Sequence, residues 1–157
     1  MSTTINLTAS SDYSLLVVGR IKDIIIRGGE NLFPVQIENV LTAHPGIHEA
    51  AAVAVPDERY GEVVGAWVLR APTSGSAATP IKPEEVRSVV AQGMNPQNAP
   101  AYVWFVGHDY GEGVDAEEEG GVKKFMGLPK TASGKVMKHV LRKWSRELAS
   151  RGVGKLV

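Results

Sequence analysis

Ile47-His48-Glu49-Ala50-Ala51-Ala52-Val53-Ala54-Val55 leads into Pro56-Asp57-Glu58-Arg59-Tyr60-Gly61 and, after Glu62, into Val63-Val64-Gly65-Ala66-Trp67-Val68-Leu69. Two apolar runs flank a polar segment that carries both a proline and a glycine, which predicts two strands joined by a turn. Upstream, Pro34 suits the first position of a helix, and Ile37, Val40 and Leu41 give that helix one apolar face. His44-Pro45-Gly46 stops it. Downstream, the small-residue stretch 71–80 reads as a loop. Pro83-Glu84-Glu85 then opens a second helix with acidic charge at its positive end, buried through Val86, Val89 and Val90 and ended by Asn95-Pro96.

Tyr102-Val103-Trp104-Phe105-Val106 is the last strand expected from the sequence. A terminal helix over 136–149 sets Val136, Val140, Leu141, Trp144 and Leu148 on one side and Lys138, Arg142, Lys143 and Arg146 on the other. Nearer the start, Leu15-Leu16-Val17-Val18 and Ile24-Ile25-Ile26 are short runs separated by a polar connection over 19–23, and they read as two more strands. The order is two strands, helix, two strands, helix, strand, helix. It predicts an α+β domain with helices packed on a small mixed β-sheet. Residues 1–13 are Ser/Thr-rich and aperiodic and are expected to be a disordered lead to a domain over 14–157. Within it, 108–124 turns abruptly to glycine and acid, the composition of a solvated surface insertion.

Of the 157 residues 43% are hydrophobic and 22% charged, and 17 basic residues balance 17 acidic ones. A chain of this size buries roughly 70% of its unfolded surface and needs no covalent staple. The absence of cysteine excludes disulfides, thiolate metal sites and cysteine nucleophiles. Zero net charge argues against nucleic acid as a partner. No apolar run approaches the ~20 residues of a membrane span, and the polar start is unlike a signal peptide. A cytoplasmic location is expected. The ending Lys155-Leu156-Val157 has only a loose likeness to a peroxisomal signal because of its final Val. His44 and His48 are four apart, but Pro45-Gly46 breaks any helix that would align them, so no metal site is expected.

Two segments hold more glycine and charge than folding requires. The first runs Gly19-Arg20-Ile21-Lys22-Asp23-Ile24-Ile25-Ile26-Arg27-Gly28-Gly29-Glu30-Asn31-Leu32-Phe33-Pro34. The second is Leu128-Pro129-Lys130-Thr131-Ala132-Ser133-Gly134-Lys135-Val136-Met137-Lys138. In the second, a Pro-led loop with a Ser-Gly pair presents Lys135 just ahead of a helix. A lysine so placed is a point charge suited to phosphate or carboxylate oxygens where negative charge builds up.

Together these segments resemble the two signature motifs of the small C-terminal domain of AMP-forming acyl-CoA synthetases, in the adenylate-forming superfamily. Ala54-Val55-Pro56-Asp57-Glu58-Arg59-Tyr60-Gly61-Glu62 is similar to a third block of that family, and the resemblance spans about 15–148. Three motifs in order are far more specific than one glycine pattern. The resemblance implies a two-step reaction: a carboxylate attacks the α-phosphate of ATP, then the thiol of coenzyme A displaces AMP from the acyl-adenylate. It implies ATP with Mg and coenzyme A as substrates of the full enzyme, with none held tightly by this domain alone.

Residue by residue, the resemblance makes Lys135 the catalytic lysine of adenylation and Lys22 the hinge about which the domain rotates. It sets Gly28 and Gly29 in the loop lining the pantetheine tunnel, with Glu30 and Asn31 flanking that tunnel. Arg20 matches an arginine near the nucleotide phosphate. The family's large N-terminal domain carries the phosphate loop, the nucleotide contacts and the acyl pocket, and it has no counterpart here. Thr73-Ser74-Gly75-Ser76 is superficially similar to that phosphate loop but lacks its Gly and Lys context and reads as a surface loop. The expectation is therefore a lid domain that works with a large adenylation domain in cis or in trans and is inactive without it. The alternative is a stand-alone module that binds coenzyme A or a protein, suggested by the Met start and the acidic insertion.

Overall fold

A computed structural model of the protein describes residues 4–6, 16–19, 23–71, 79–106 and 127–156. In chain order, β1 (Thr4–Asn6) and β2 (Leu16–Gly19) pair antiparallel, so three residues of the lead expected to be disordered form a strand. Then come β3 (Ile25–Arg27), β4 (Glu30–Leu32), α1 (Pro34–Thr42), β5 (Ile47–Asp57) and β6 (Gly61–Arg70). They are followed by α2 (Pro83–Gly93), a 3-10 turn at Pro96–Asn98, β7 (Tyr102–Phe105) and α3 (Lys138–Ser150). The remainder of the lead, the loop holding Thr73 to Ser76 and the acidic insertion over 108–124 lie outside the described residues.

β6 is the centre of the five-stranded sheet. β5 pairs along one edge of it from Ile47↔Arg70 to Asp57↔Gly61. The other edge is shared: β3 pairs antiparallel at its start, through Arg27↔Gly61, and β7 pairs parallel further on, from Gly65↔Tyr102 to Val68↔Phe105. The sheet is therefore mixed, as the sequence predicts. The alternation of the two long strands divides the core in two. Ala52, Val64, Ala66, Val68, Val103 and Phe105 face Ile37 and Leu41 of α1 and Val86 and Val90 of α2. Ala51, Val53, Val55, Val63, Trp67, Tyr102 and Trp104 face Val140, Leu141, Trp144 and Leu148 of α3. Because β7 is covered on both faces, all four of its side chains are buried, which explains its unbroken apolar reading.

On the α3 side, aromatic rings fill the space. Trp67 lies 5.1 Å from Trp104 and 5.8 Å from Trp144, ring centre to ring centre. The buried indole of Trp67 donates to Ser145 Oγ at 2.8 Å, and Ser145 in turn donates to the Leu141 carbonyl. Gly65 makes the room: a Cβ there would sit 2.6 Å from Val55 Cγ2 and 2.8 Å from Trp104 Cζ3.

Three further features depart from the sequence reading. The strands β5 and β6 extend into the expected turn, with Pro56 paired to Glu62. Pro56 costs nothing there. The N–H of Ala52 points away from β6 to a side chain of α1, and alternation gives Pro56 the same outward orientation, at an edge where no ladder bond is lost. β4 was not expected, since Glu30-Asn31-Leu32 offers only one apolar residue. Finally, α3 begins at Lys138 rather than 136, because Val136 bridges to Lys130 and the Met137 N–H donates to the Pro129 carbonyl at 2.8 Å.

Candidate functional site

The loop 130–136 is built to hold Lys135 in a fixed place. Its ends meet in the Lys130–Val136 bridge, and the Thr131 N–H donates to the Lys135 carbonyl at 2.8 Å. Gly134 turns the chain at φ +87 and donates to the Thr131 carbonyl at 2.9 Å. The Thr131 hydroxyl accepts from the Lys135 N–H at 3.2 Å and lies 3.0 Å from Ser133 Oγ. Thr, Ser and Gly are thus explained as turn chemistry. The backbone is locked while the Lys135 side chain is exposed, and no partner among the described residues engages its ammonium. The lysines on either side differ: Lys130 is paired with Glu49, and Lys138 with Glu38.

Gly28 and Gly29 form the two-residue turn of the β3–β4 hairpin, with φ +56 and +86. Both central residues have positive φ, as in a type I′ turn, a conformation that favours Asn or Gly at the first position and Gly at the second. Space differs between them. A Cβ on Gly28 would lie 3.4 Å from the Tyr60 ring, whereas one on Gly29 would meet nothing within 4 Å. The Gly28 N–H donates to the Tyr60 carbonyl at 2.8 Å, and the Arg27 guanidinium sits 3.8 Å from the centre of the Tyr60 ring with Arg59 at 5.1 Å. Asp57 Oδ2 fixes the turn beneath by accepting the Arg59 and Tyr60 N–H groups. Glu30 and Asn31 are exposed on β4, opposite Arg27 and Ile26.

The Lys135 loop and the glycine hairpin are tied to different points along β5 and β6. The lysine loop is pinned through Lys130 to Glu49 near the start of β5, whereas the glycine hairpin is pinned to Gly61, opposite Asp57 at the end of β5. Eight residues of strand separate Glu49 from Asp57, on the order of 27 Å at strand rise. Arg20 and Lys22 lie outside the described residues. Next to Lys22, the Asp23 carboxylate accepts from Arg142 Nη1 at 2.9 Å and so fastens the chain beside the expected hinge to α3. Sequence reasoning missed this pair, the Glu38 and Glu49 pairs and the stacking on Tyr60. One signal was available: Lys138 stands at the start of a helix with no acid in its first turn, where the dipole disfavours a cation.

His44 is a turn residue whose Nδ1 accepts the Gly46 N–H at 3.0 Å. No group of three or more His, Asp or Glu converges as a metal site among the described residues. No described helix is long and apolar enough to cross a membrane.

The family model that matches the chain is the AMP-binding enzyme C-terminal domain, over residues 36–109. The chain is 39% identical over 139 residues to Acyl-CoA ligase SID4 of Ajellomyces capsulatus, covering 88% of this chain and 21% of that ligase. It is 40% identical to Acyl-CoA ligase sidI of Aspergillus fumigatus, with the same coverage of each. Among solved structures it is similar to ATP-bound MatB from Rhodopseudomonas palustris, with a TM-score of 0.68 and 28% identity over 92% of this chain and 24% of that one. The acyl-CoA synthetase of Brucella canis is another, with a TM-score of 0.61 and 31% identity over 91% of this chain and 22% of that one. The fold is that of a small domain of adenylate-forming enzymes. The chain belongs to the AMP-binding enzyme C-terminal domain family, of the kind found in acyl-CoA ligases, and it spans about a fifth of the length of the curated relatives it matches.

Proposed function

We propose that this domain, over residues 14–157, is the mobile lid of an acyl-CoA ligase and works with a large adenylation domain supplied in cis or in trans. ATP, carried as its Mg complex, and coenzyme A are the substrates of the assembled enzyme. In the first half-reaction the substrate carboxylate attacks the α-phosphate of ATP. The Lys135 ammonium, held by its locked loop, bridges carboxylate and phosphate oxygens and stabilises the charge that develops as pyrophosphate departs. Arg20 adds charge near the phosphate. The lid then turns about Lys22. Gly28 and Gly29, flanked by Glu30 and Asn31, wall the passage through which the thiol of coenzyme A reaches the acyl-adenylate, and AMP leaves.

The observation that carries this reading is the separation of the two elements along β5. The two are tied to β5 at Glu49 and opposite Asp57, points on the order of 27 Å apart at strand rise, so a lid fixed in one orientation presents them at different places. Using them in turn requires a rotation between steps.

Reconstitution tests the reading. The 157-residue chain alone should give no ATP–pyrophosphate exchange, and exchange should appear when the large adenylation domain of an acyl-CoA ligase is joined to it. Exchange by the lone chain, or no gain on joining, contradicts it.

A further inference from the structure

Among the described residues no strand pairs with the outer edge of β5, and one ion pair occupies it. Glu38 projects from α1 on one face of the sheet, and Lys138 from the first turn of α3 on the other. They meet at Ala52. Glu38 Oε2 accepts the Ala52 N–H at 2.9 Å, Lys138 Nζ donates to the Ala52 carbonyl at 2.7 Å, and the two side chains are paired to each other. The pair thereby satisfies both outward groups of Ala52, which would otherwise be unpaired at a strand edge. Its side chains are 17% and 19% exposed, so the charges are largely withdrawn from water and sensitive to loss of a partner.

Resting on the adenylation role proposed for Lys135, we infer that Glu38 is a positioning residue for Lys135, acting through Lys138. Only two residues separate Lys138 from Lys135, and α3 begins where the lysine loop closes. The helix start carries Lys138 against its own dipole with no acid of its own, and Glu38 supplies the missing countercharge from a different element. Glu38 thus fixes where α3 starts relative to β5, and with it the point from which Lys135 reaches out. Glu49, through Lys130, holds the other end of the loop.

The test separates this role from general stability. In the enzyme completed with its large domain, Glu38→Ala should slow ATP–pyrophosphate exchange about tenfold or more, with thioester formation from preformed acyl-adenylate changed less than about twofold. The Glu38→Ala, Lys135→Ala double variant should be no slower in adenylation than Lys135→Ala. Glu38→Gln, which keeps an acceptor for the Ala52 N–H and removes the charge, should fall between wild type and Glu38→Ala. On the 157-residue chain, amide exchange at Gly134 and Lys135 should rise in Glu38→Ala while that of Val64 and Val68 in β6 stays unchanged.

Equal slowing of both half-reactions, exchange rising through β6 as well, or loss of the fold in both Glu38 variants overturns the proposal, because Glu38 would then serve the whole fold. If Lys135→Ala leaves adenylation unchanged, it is the role of Lys135 that falls. Unchanged adenylation in Glu38→Ala beside a defective Lys135→Ala removes Glu38 alone.

Discussion

Arg142 Nη1 donates to the Asp23 carboxylate at 2.9 Å, so the residue next to Lys22 is held to α3, the helix that follows the Lys135 loop. The side chains are 24% and 15% exposed, which makes this a largely desolvated pair. Arg142→Ala is expected to cost about 1.5–3 kcal/mol of stability, since it strands a carboxylate in a partly dry site. Urea unfolding of Arg142→Ala, Asp23→Asn and the double variant measures the coupling between them. Additive losses would contradict a direct interaction.

The glycine hairpin makes a second prediction. A side chain with positive φ costs roughly 1–2 kcal/mol, so Gly29→Ala should destabilise the domain by about that much. Gly28→Asn should be nearly neutral, because Asn suits the first central position of a type I′ turn. Thermal melts of the two variants check the order, and equal losses would count against the turn assignment.

The Trp67 indole tests the aromatic side of the core. Ser145→Ala removes the acceptor of Trp67 Nε1 and leaves a buried donor unsatisfied, at a cost of about 1–3 kcal/mol. Adding Trp67→Phe to Ser145→Ala should lose less than the two single changes summed. Denaturant midpoints of the three variants decide it.

Gly65 is a packing requirement rather than a conformational one. Gly65→Ala should destabilise by about 1–3 kcal/mol through overpacking against Val55 and Trp104. Val55→Ala in the same chain opens the nearer contact and should restore part of the loss. A Gly65→Ala variant as stable as the wild type would contradict the close approach of β5, β6 and β7.

Much of this domain is legible in its sequence because each long element advertises itself locally. Pro34 and Pro83 mark helix starts, and the runs ending at Val55 and Leu69 are too apolar to be surface. The exceptions are elements whose cause is distant. β4 exists because Gly28-Gly29 closes a hairpin, and its own residues carry almost no strand signal. The start of α3 is set by Pro129 and Lys130 across a loop, not by the helical pattern, which runs on into Val136.

The candidate site divides in the same way. Lys135 and the glycines stand inside contiguous motifs and were legible. Glu38 and Glu49 were not, because each meets its lysine across 100 or 81 residues of chain. Nor does a linear motif disclose that the Lys135 loop is tied through Lys130 to Glu49, near the start of β5, and the glycine hairpin to Gly61, opposite its end.

That separation is the central claim, and the two half-reactions of the completed ligase test it most directly. Lys135→Ala should lower the rate of acyl-adenylate formation by about a hundredfold or more while leaving thioester formation from preformed acyl-adenylate near wild type. Gly29→Leu should do the reverse. Both variants impairing the same half-reaction, or each impairing both equally, would contradict a lid that serves the two steps with two surfaces.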